Sequence, residues 1–195
     1  MKRCGWAEAS ELMIAYHDHE WGVPIHDDRK LFEYLVLDTF QAGLSWAIIL
    51  HKRENFRQAL ANLDPEKIAR YMTRDIERLL ANPGIVRNKQ KIAAVVTNAR
   101  VFLKIQERLG SFDSFVWQFV GGKSRHNSWK TMRQLPAKTR ESDRMSEALR
   151  DRGFAFTGST ICYAFMQAAG MVNDHLVSCF RHAEIRALHT EPGPS

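Results

Sequence analysis

The chain has 195 residues, of which 45% are hydrophobic and 26% are charged, a composition typical of a soluble globular protein. No segment reaches the apolar length of a membrane span, and the first ten residues lack a signal-peptide core, so we expect a cytoplasmic protein. The net charge of +6 fits a polyanionic partner, and three cysteines favour metal ligation or free thiols over disulfides.

The first predicted helices follow two acidic cap signals. Asp27 and Asp28 begin a helix whose apolar face includes Leu31 and Leu35, and a further apolar helix starts near Gly43. Asp64 and Pro65 supply an N-cap and an N1 proline for a helix over residues 65–81, with Ile68, Met72, Ile76, Leu79 and Leu80 as its apolar stripe.

The second half of the chain continues this helical periodicity. Asn82-Pro83-Gly84 predicts a turn, after which an apolar stripe runs from Ile92 to Leu103. Ser111 opens the next helix, and Gly153 closes the one that bears Met145 and Leu149. We therefore expect an all-α fold with a single domain over residues 1–185, a polar loop over 121–131 and a flexible tail over 186–195.

Four residues near the two ends of the chain have the chemistry of a tetrahedral structural zinc site: Cys4, His17, His175 and Cys179. His175 and Cys179 are four residues apart and would share one helical face. His19 and His182 compete as ligands by position. An alternative of equal weight is that the cysteines are ordinary thiols and the histidines are hydrogen-bonded polar residues.

The segment LLANPGIVRNKQKIAAVV resembles a helix-hairpin-helix element, in which turn amides and nearby cations bind DNA phosphates. Gly84 lies in the turn, and Arg87, Lys89 and Lys91 follow it. The usual second glycine is replaced by Val86, which resists a positive φ. The alternative is a common αα-corner with a solvated basic face.

Aromatic and acidic residues are dense in the first 46 residues, which contain Trp6, Tyr16, Trp21, Phe40, Trp46, Asp18, Glu20 and Asp38. Aromatic faces with a carboxylate suit a planar cationic ligand such as an alkylated purine. Core packing is the preferred interpretation for Trp21 and Phe40. Asp38 follows an apolar helix and precedes Gln41-Ala42-Gly43, so a helix-capping or solvated role is its alternative.

Several segments together resemble the bacterial DNA-3-methyladenine glycosylase I family. They are RCGW, AYHDHEWGVP, QAGLSW, KRENFR, GIVRNKQKI, FVW and GFAFTGSTICYAFMQAAGMVNDH, followed by Cys179, and they span nearly the whole chain in the family's order. The resemblance implies a helix-hairpin-helix glycosylase fold, with a hairpin lobe at about 40–115 and a second lobe formed by both terminal segments. It also implies that Cys4, His17, His175 and Cys179 bind one structural Zn²⁺.

The resemblance further implies a monomeric enzyme that acts on double-stranded DNA containing alkylated bases. It would excise N3-methylated adenine without cutting the strand. Trp6, Tyr16, Trp46 and Asp38 would hold the extruded base, with Asp38 and Tyr16 at the reaction centre. Gly43 and Leu44 would probe the gap in the duplex, while Gly84, Arg87, Lys89 and Lys91 would hold the DNA backbone.

Two positions depart from the family pattern. Asp38 stands where the family usually has glutamate, and Thr39-Phe40 replaces smaller or more polar residues. The alternative function is therefore a DNA-damage-binding module whose catalysis is weakened or lost. A strand-cleaving lyase would need a lysine in the pocket, but Lys52 and Lys89 lie outside the pocket motifs. A zinc hydrolase would need an open coordination position, which four ligands do not leave.

Overall fold

The structure of the protein is a computed structural model, and it describes residues 1–188. This part of the chain is mostly helical. The helices are α1 (Glu11–His19), α2 (Asp28–Gln41), α3 (Trp46–His51), α4 (Arg53–Ala59), α5 (Pro65–Ala69), α6 (Thr73–Ala81), α7 (Lys89–Leu109), α8 (Phe112–Trp117), α9 (Arg140–Asp151), α10 (Ser159–Ala168) and α11 (Phe180–Ala187). No helix within residues 1–188 is long and apolar enough to cross a membrane.

Helix starts follow the predicted cap residues. Asp27 accepts a hydrogen bond from the Lys30 N–H at the start of α2, and Ser111 accepts one from the Ser114 N–H at the start of α8. Gly153, at φ +95°, follows α9 as predicted. These local signals were readable from the sequence because each cap satisfies backbone groups only a few residues away.

The prediction of a single helix over residues 65–81 is wrong, because this segment forms two helices. α5 ends at Ala69 and α6 begins at Thr73, with Met72 in an extended conformation between them. The side chain of Asp75 accepts a hydrogen bond from the Met72 N–H, which closes the N-terminus of α6. Met72, placed on the predicted apolar stripe, is 70% exposed as a result.

One pair of short strands interrupts the helical architecture. β1 (Arg125–His126) pairs in parallel with β2 (Val172–Asn173), with Arg125 opposite Val172. The segment 121–131, predicted to be a loop, therefore contains a strand that is anchored to the C-terminal part of the chain. The predicted tail, 186–195, lies mainly outside the described residues, and Arg186 and Ala187 belong to α11.

α2 is the central helix of the fold. Nine of its residues are buried, and it packs against α3, α7, α8 and α10. At its start, the carboxylate of Asp28 accepts hydrogen bonds from the N–H groups of Phe112 and Asp113, at 2.8 and 2.7 Å. The first residue of α2 thus holds the N-terminus of α8. The last turn of α2, with Asp38, lies inside the protein.

Candidate functional site: an aromatic cavity beside a Cys and His cluster

A cavity of about 260 Å³ lies between the N-terminal segment, α2, α3 and α10. All four residues that the sequence predicted to hold a base line it, namely Trp6, Tyr16, Asp38 and Trp46. They are brought together from four separate elements. Within residues 1–188, no lysine lines this cavity.

Asp38 supplies a carboxyl group to the cavity. Its side chain is 2% exposed, and Oδ2 has no hydrogen-bond partner within residues 1–188. Burial raises the pKa of this carboxyl well above its usual value. The residue lies in the last turn of α2, where it caps no helix and is not solvated. The alternative interpretation of Asp38 as a capping or solvated carboxylate is therefore wrong.

The aromatic wall is formed by rings in mutual contact. The centroids of Tyr16 and Trp46 are 5.2 Å apart, and those of Trp6 and Tyr16 are 6.3 Å apart. Burial raises the pKa of Tyr16, and nearby Tyr34 and Asp38 raise it further, so its hydroxyl remains protonated at neutral pH. Trp46 Nε1 is buried and has no hydrogen-bond partner in the described part of the chain.

Sequence reasoning missed two-thirds of the residues that line the cavity: Met13, Trp21, Gln41, Met132, Leu135, Ala164, Gln167 and Ala168. Trp21 was assigned to core packing. It is 8% exposed but reaches the cavity, with its ring 5.0 Å from that of Trp6. A usable signal for α10 was the helical spacing of Ala164, Gln167 and Ala168, which puts two small residues and one amide on one face.

The four predicted metal ligands form one buried cluster, in which all ligand atoms lie within 4.8 Å of one another. His17 Nε2 lies 3.2 Å from His175 Nδ1 and 3.4 Å from Cys179 Sγ, and His175 Nδ1 lies 3.8 Å from Cys4 Sγ. A tetrahedral ion with sulfur and nitrogen ligands at about 2.3 and 2.0 Å separates its ligand atoms by about 3.3–3.8 Å. The cluster therefore fits such an ion.

Hydrogen bonds hold both imidazoles in the orientation that metal binding requires. His17 Nδ1 lies 2.7 Å from Asp18 Oδ1, and His175 Nε2 lies 3.0 Å from the Trp21 carbonyl oxygen. Each ring can donate through that outer nitrogen, which leaves the inner nitrogen free to bind a cation. Asp18 is in turn held by two hydrogen-bonded nitrogens of Arg3.

The two competing histidines are placed outside the cluster. His19 is exposed on α1, although it is only two residues from His17. Nε2 of His182 lies 2.8 Å from the carbonyl oxygen of Asn127 and is occupied there. The cluster also contacts the cavity wall, because the ring of Trp6 is 5.3 Å from that of His17.

The predicted phosphate-binding turn differs from a two-glycine hairpin. Neither Gly84 nor Val86 has a positive φ, and the Gly84 N–H donates a 2.8 Å hydrogen bond to Asn82 Oδ1. Lys52 Nζ donates to the carbonyl oxygens of Pro83 and Gly84 at 3.3 and 3.1 Å, which holds its ammonium against this turn. The Gly84 amide is already occupied, contrary to the role predicted for it.

The three basic residues after the turn differ in their exposure to solvent. Arg87 and Lys89 are exposed at the start of α7, as a DNA contact requires. Lys91 is only 5% exposed, and its Nζ donates hydrogen bonds to the carbonyl oxygens of Phe40, at 2.8 Å, and Ala42. The prediction that Lys91 binds a phosphate is not supported by this placement, since its ammonium is committed to the end of α2.

The turn after α2 presents a leucine to solvent beside the cavity. Gly43 has φ +80°, a conformation that favours glycine, and the next residue, Leu44, is 38% exposed. The Leu44 N–H donates to the Gln41 carbonyl oxygen at 2.6 Å, which fixes the turn.

The helical fold, the aromatic cavity with its buried acid and the Cys and His cluster together agree with the class of protein that the sequence resembles. The model of the methyladenine glycosylase family matches residues 6–182, and the chain belongs to this family. The resemblance drawn from the motifs is confirmed.

Relatives with curated names and solved structures agree with the family. DNA-3-methyladenine glycosylase 1 of Escherichia coli (strain K12) is 48% identical over 179 residues, which cover 92% of this chain and 96% of that protein. A crystal structure of 3-methyladenine DNA glycosylase I has a TM-score of 0.90 and 49% identity, covering 92% of this chain and 98% of that one. A Tyr-to-Phe variant of a 3-methyladenine DNA glycosylase I in complex with 3-methyladenine has a TM-score of 0.89 and 34% identity, with coverages of 92% and 97%.

Proposed function

We propose that this protein is a DNA repair glycosylase that extrudes and excises N3-methylated adenine from double-stranded DNA. The reaction is hydrolysis of the N-glycosidic bond, and the strand stays intact. The observation that carries the proposal is the buried Asp38 carboxyl, which has no hydrogen-bond partner within residues 1–188 and lies in an aromatic cavity of about 260 Å³.

The chemistry of the lesion matches this site. Adenine methylated at N3 carries a positive charge, which weakens its glycosidic bond and makes it a good leaving group. In an apolar cavity, an ionised Asp38 stabilises a cationic base far more than a neutral one, because the low dielectric strengthens their attraction. Extrusion of a damaged and poorly paired base also costs least. The cavity therefore selects the lesion over ordinary adenine.

Each of the four residues predicted to hold the base has a role in this proposal. Trp46 or Trp6 stacks on the cationic ring, and Tyr16 and Asp38 form hydrogen bonds with its polar edge. Asp38 acts mainly in recognition and charge stabilisation, and any activation of water is secondary. Because aspartate is one methylene shorter than glutamate, its contact with the base needs a shifted backbone or a bridging water.

The DNA surface is proposed to lie around the two turns beside the cavity. Arg87 and Lys89 contact phosphates in a helix-hairpin-helix element formed by α6, the turn at Gly84 and α7. Gly43 and Leu44 enter the gap that the extruded nucleotide leaves. Support for the second role comes from the position of Leu44, whose side chain is 38% exposed on the turn between Gln41 and Trp46, two residues that line the cavity.

The Cys and His cluster is proposed to hold one structural Zn²⁺. Two sulfurs and two nitrogens are a common zinc ligand set, and four protein ligands close the coordination shell. The ion would supply a cross-link between the N-terminal segment and the segment after β2. We further propose a monomer with a single glycosylase domain over residues 1–185, whose hairpin lobe is at about 40–115.

One incubation tests the function against its alternatives. Duplex DNA treated with a methylating agent is mixed with the protein, and the released bases and the strand are analysed. Free 3-methyladenine with an intact strand supports the glycosylase. A nicked strand would indicate a lyase, and tight binding without release would indicate the damage-binding module. Asp38→Asn serves as the control for base release that does not depend on the cavity.

A further inference from the structure

Gln167 is a polar residue of the cavity wall to which the proposed chemistry assigns no role. It belongs to α10, and the small side chains of Ala164 and Ala168 line the cavity next to it. The alanines leave space around the amide. Gln167 is therefore a hydrogen-bonding group in an otherwise apolar part of the wall.

The amide of Gln167 has a fixed orientation because it is bound to Asp174. Nε2 of Gln167 donates a 2.7 Å hydrogen bond to Asp174 Oδ2. Asp174 is 1% exposed, and it also accepts hydrogen bonds from Asn127 Nδ2, Trp129 Nε1 and the Tyr163 hydroxyl, at 2.6–2.8 Å. If the amide were reversed, its oxygen would face a carboxylate oxygen and one hydrogen bond would be lost.

The group that Gln167 presents away from Asp174 is consequently its amide oxygen. Oε1 makes no hydrogen bond to any residue within the described range, and the side chain borders the cavity. Asp38 provides a second acceptor in the same cavity. The wall thus offers two acceptors from two helices, α2 and α10, for N–H groups of a bound molecule.

Resting on the proposed glycosylase function, we propose that Gln167 Oε1 and Asp38 accept the two N–H groups of the amine at C6 of the extruded base. Adenine carries this amine, whereas guanine carries a carbonyl oxygen at C6. A carbonyl oxygen at this position leaves Gln167 Oε1 without a donor and is repelled by it. The pocket therefore selects 6-aminopurines, and 3-methylguanine is a poor substrate.

The test is Gln167→Met, which keeps the length of the side chain and removes its hydrogen-bonding atoms. The variant and the parent are incubated with methylated duplex DNA that contains both lesions, and released 3-methyladenine and 3-methylguanine are quantified. We expect kcat/KM for 3-methyladenine to fall about tenfold or more, and the ratio of 3-methyladenine to 3-methylguanine release to fall by a similar factor. Gln118→Met is the matched control, since its amide also donates a 2.7 Å hydrogen bond but lies outside the cavity.

A structural role for Gln167 would lower the release of both bases equally, and an unchanged ratio would overturn the proposal. If the parent releases neither base, the proposed function itself fails, which is a separate result. If the Gln167→Met variant does not fold, the proposal is tested instead by measuring how tightly the two free methylated bases bind to the parent protein. 3-Methyladenine must then bind at least about tenfold more tightly than 3-methylguanine, and equal binding would reject the assignment.

Discussion

At the scale of single residues, the buried carboxyl of Asp38 is the clearest mark of function. A polar atom in a protein interior normally has a hydrogen-bond partner, because leaving it without one costs about 1–3 kcal/mol. Asp38 Oδ2 has none within residues 1–188, and its position in the last turn of α2 does not require an acid. Such a cost is typical of a site whose partner is a ligand.

Asp38→Asn is expected to stabilise the protein while it sharply reduces base release. Burial raises the pKa of Asp38 in the folded state, whereas in the unfolded chain this carboxyl ionises near the ordinary value of about 3.9. The stability linked to this group is therefore fully present below about pH 4 and is lost as the pH rises through the folded pKa. We expect the Asn variant to exceed the parent by about 1–3 kcal/mol at pH 8, and by less at pH 5, in urea unfolding.

The same variant should release 3-methyladenine at least about a hundredfold more slowly, and Asp38→Glu should retain most of the release. A lower stability of the Asn variant at pH 8 would show that the carboxylate stabilises the empty protein, which contradicts this account. Release at the parental rate by the Asn variant would remove Asp38 from the reaction.

At the scale of elements, Lys91 connects the first turn of α7 with the end of α2. Its ammonium binds the carbonyl oxygens of Phe40 and Ala42, which are among the groups that a helix leaves without partners at its C-terminus. These two carbonyls flank Gln41 and precede the Gly43-Leu44 turn. The start of the basic helix thereby fixes the turn that is proposed to enter the duplex.

Two lysines of α7, two residues apart, are expected to differ in their effect on stability when they are substituted. Lys91→Met leaves two carbonyl groups without a donor, so it should destabilise the protein by about 1–3 kcal/mol in urea unfolding. Lys89→Met removes an exposed charge and should change stability by less than about 0.5 kcal/mol. Equal stability of the two variants would contradict the capping role of Lys91.

Two exposed cations, Arg87 just before α7 and Lys89 at its first position, allow a test of DNA contact. Arg87→Ala and Lys89→Ala should each lower the slope of log Kd against log salt concentration by about 1, because each removes one phosphate contact. Lys104→Ala, also exposed on α7 but four turns further along, should leave the slope unchanged. A slope that stays at the parental value in all three variants would place the DNA elsewhere.

At the scale of the whole molecule, the Cys and His cluster joins segments that are distant in the chain. Cys4 and His175 are separated by 171 positions, yet their ligand atoms are 3.8 Å apart. Trp6 and Trp21 pack against the two imidazoles and also line the cavity. The stability of the cluster and the shape of the cavity are therefore coupled.

Removal of a metal bound at the cluster should first lower the free energy of unfolding. Base release should then fall, because the cavity wall packs against the cluster. We expect one zinc per chain by elemental analysis, and a chelator or His17→Ala should lower the free energy of unfolding by several kcal/mol. His19→Ala, two residues further along α1 but exposed, is the matched control and should keep the metal and the stability. If His19→Ala loses zinc as His17→Ala does, the ligand assignment is wrong.

Much of the helical fold was predictable because its signals are local. Caps such as Asp27 and Ser111, and the apolar spacing of α7, act over a few residues. The break between α5 and α6 was not predictable from the apolar stripe, because the stripe continues through Met72 while the Asp75 side chain starts a new helix. The pairing of β1 with β2 depends on residues 47 positions apart, which no local pattern reports.

The candidate site was predictable where a residue belonged to a recognisable motif and otherwise was not. Trp6, Tyr16, Asp38 and Trp46 were found in this way, and the structure brings them to one cavity. Lys91 was misassigned because a lysine beside Arg87 and Lys89 has the same sequence signature whether its ammonium faces solvent or a helix end. Only the packing of α7 against α2 distinguishes the two cases.

The separation between Cys4 and Cys179 has a consequence for synthesis on the ribosome. A chain grows from its N-terminus, and domains fold as their contacts become available. Trp6 and His17 are made early, but His175, which belongs to the same cluster, is translated 158 residues after His17, and Cys179 follows it. The N-terminal side of the cavity therefore emerges long before the cluster beside it can form, so we expect the packing of Trp6 against the cluster to be completed only after His175 and Cys179 have emerged.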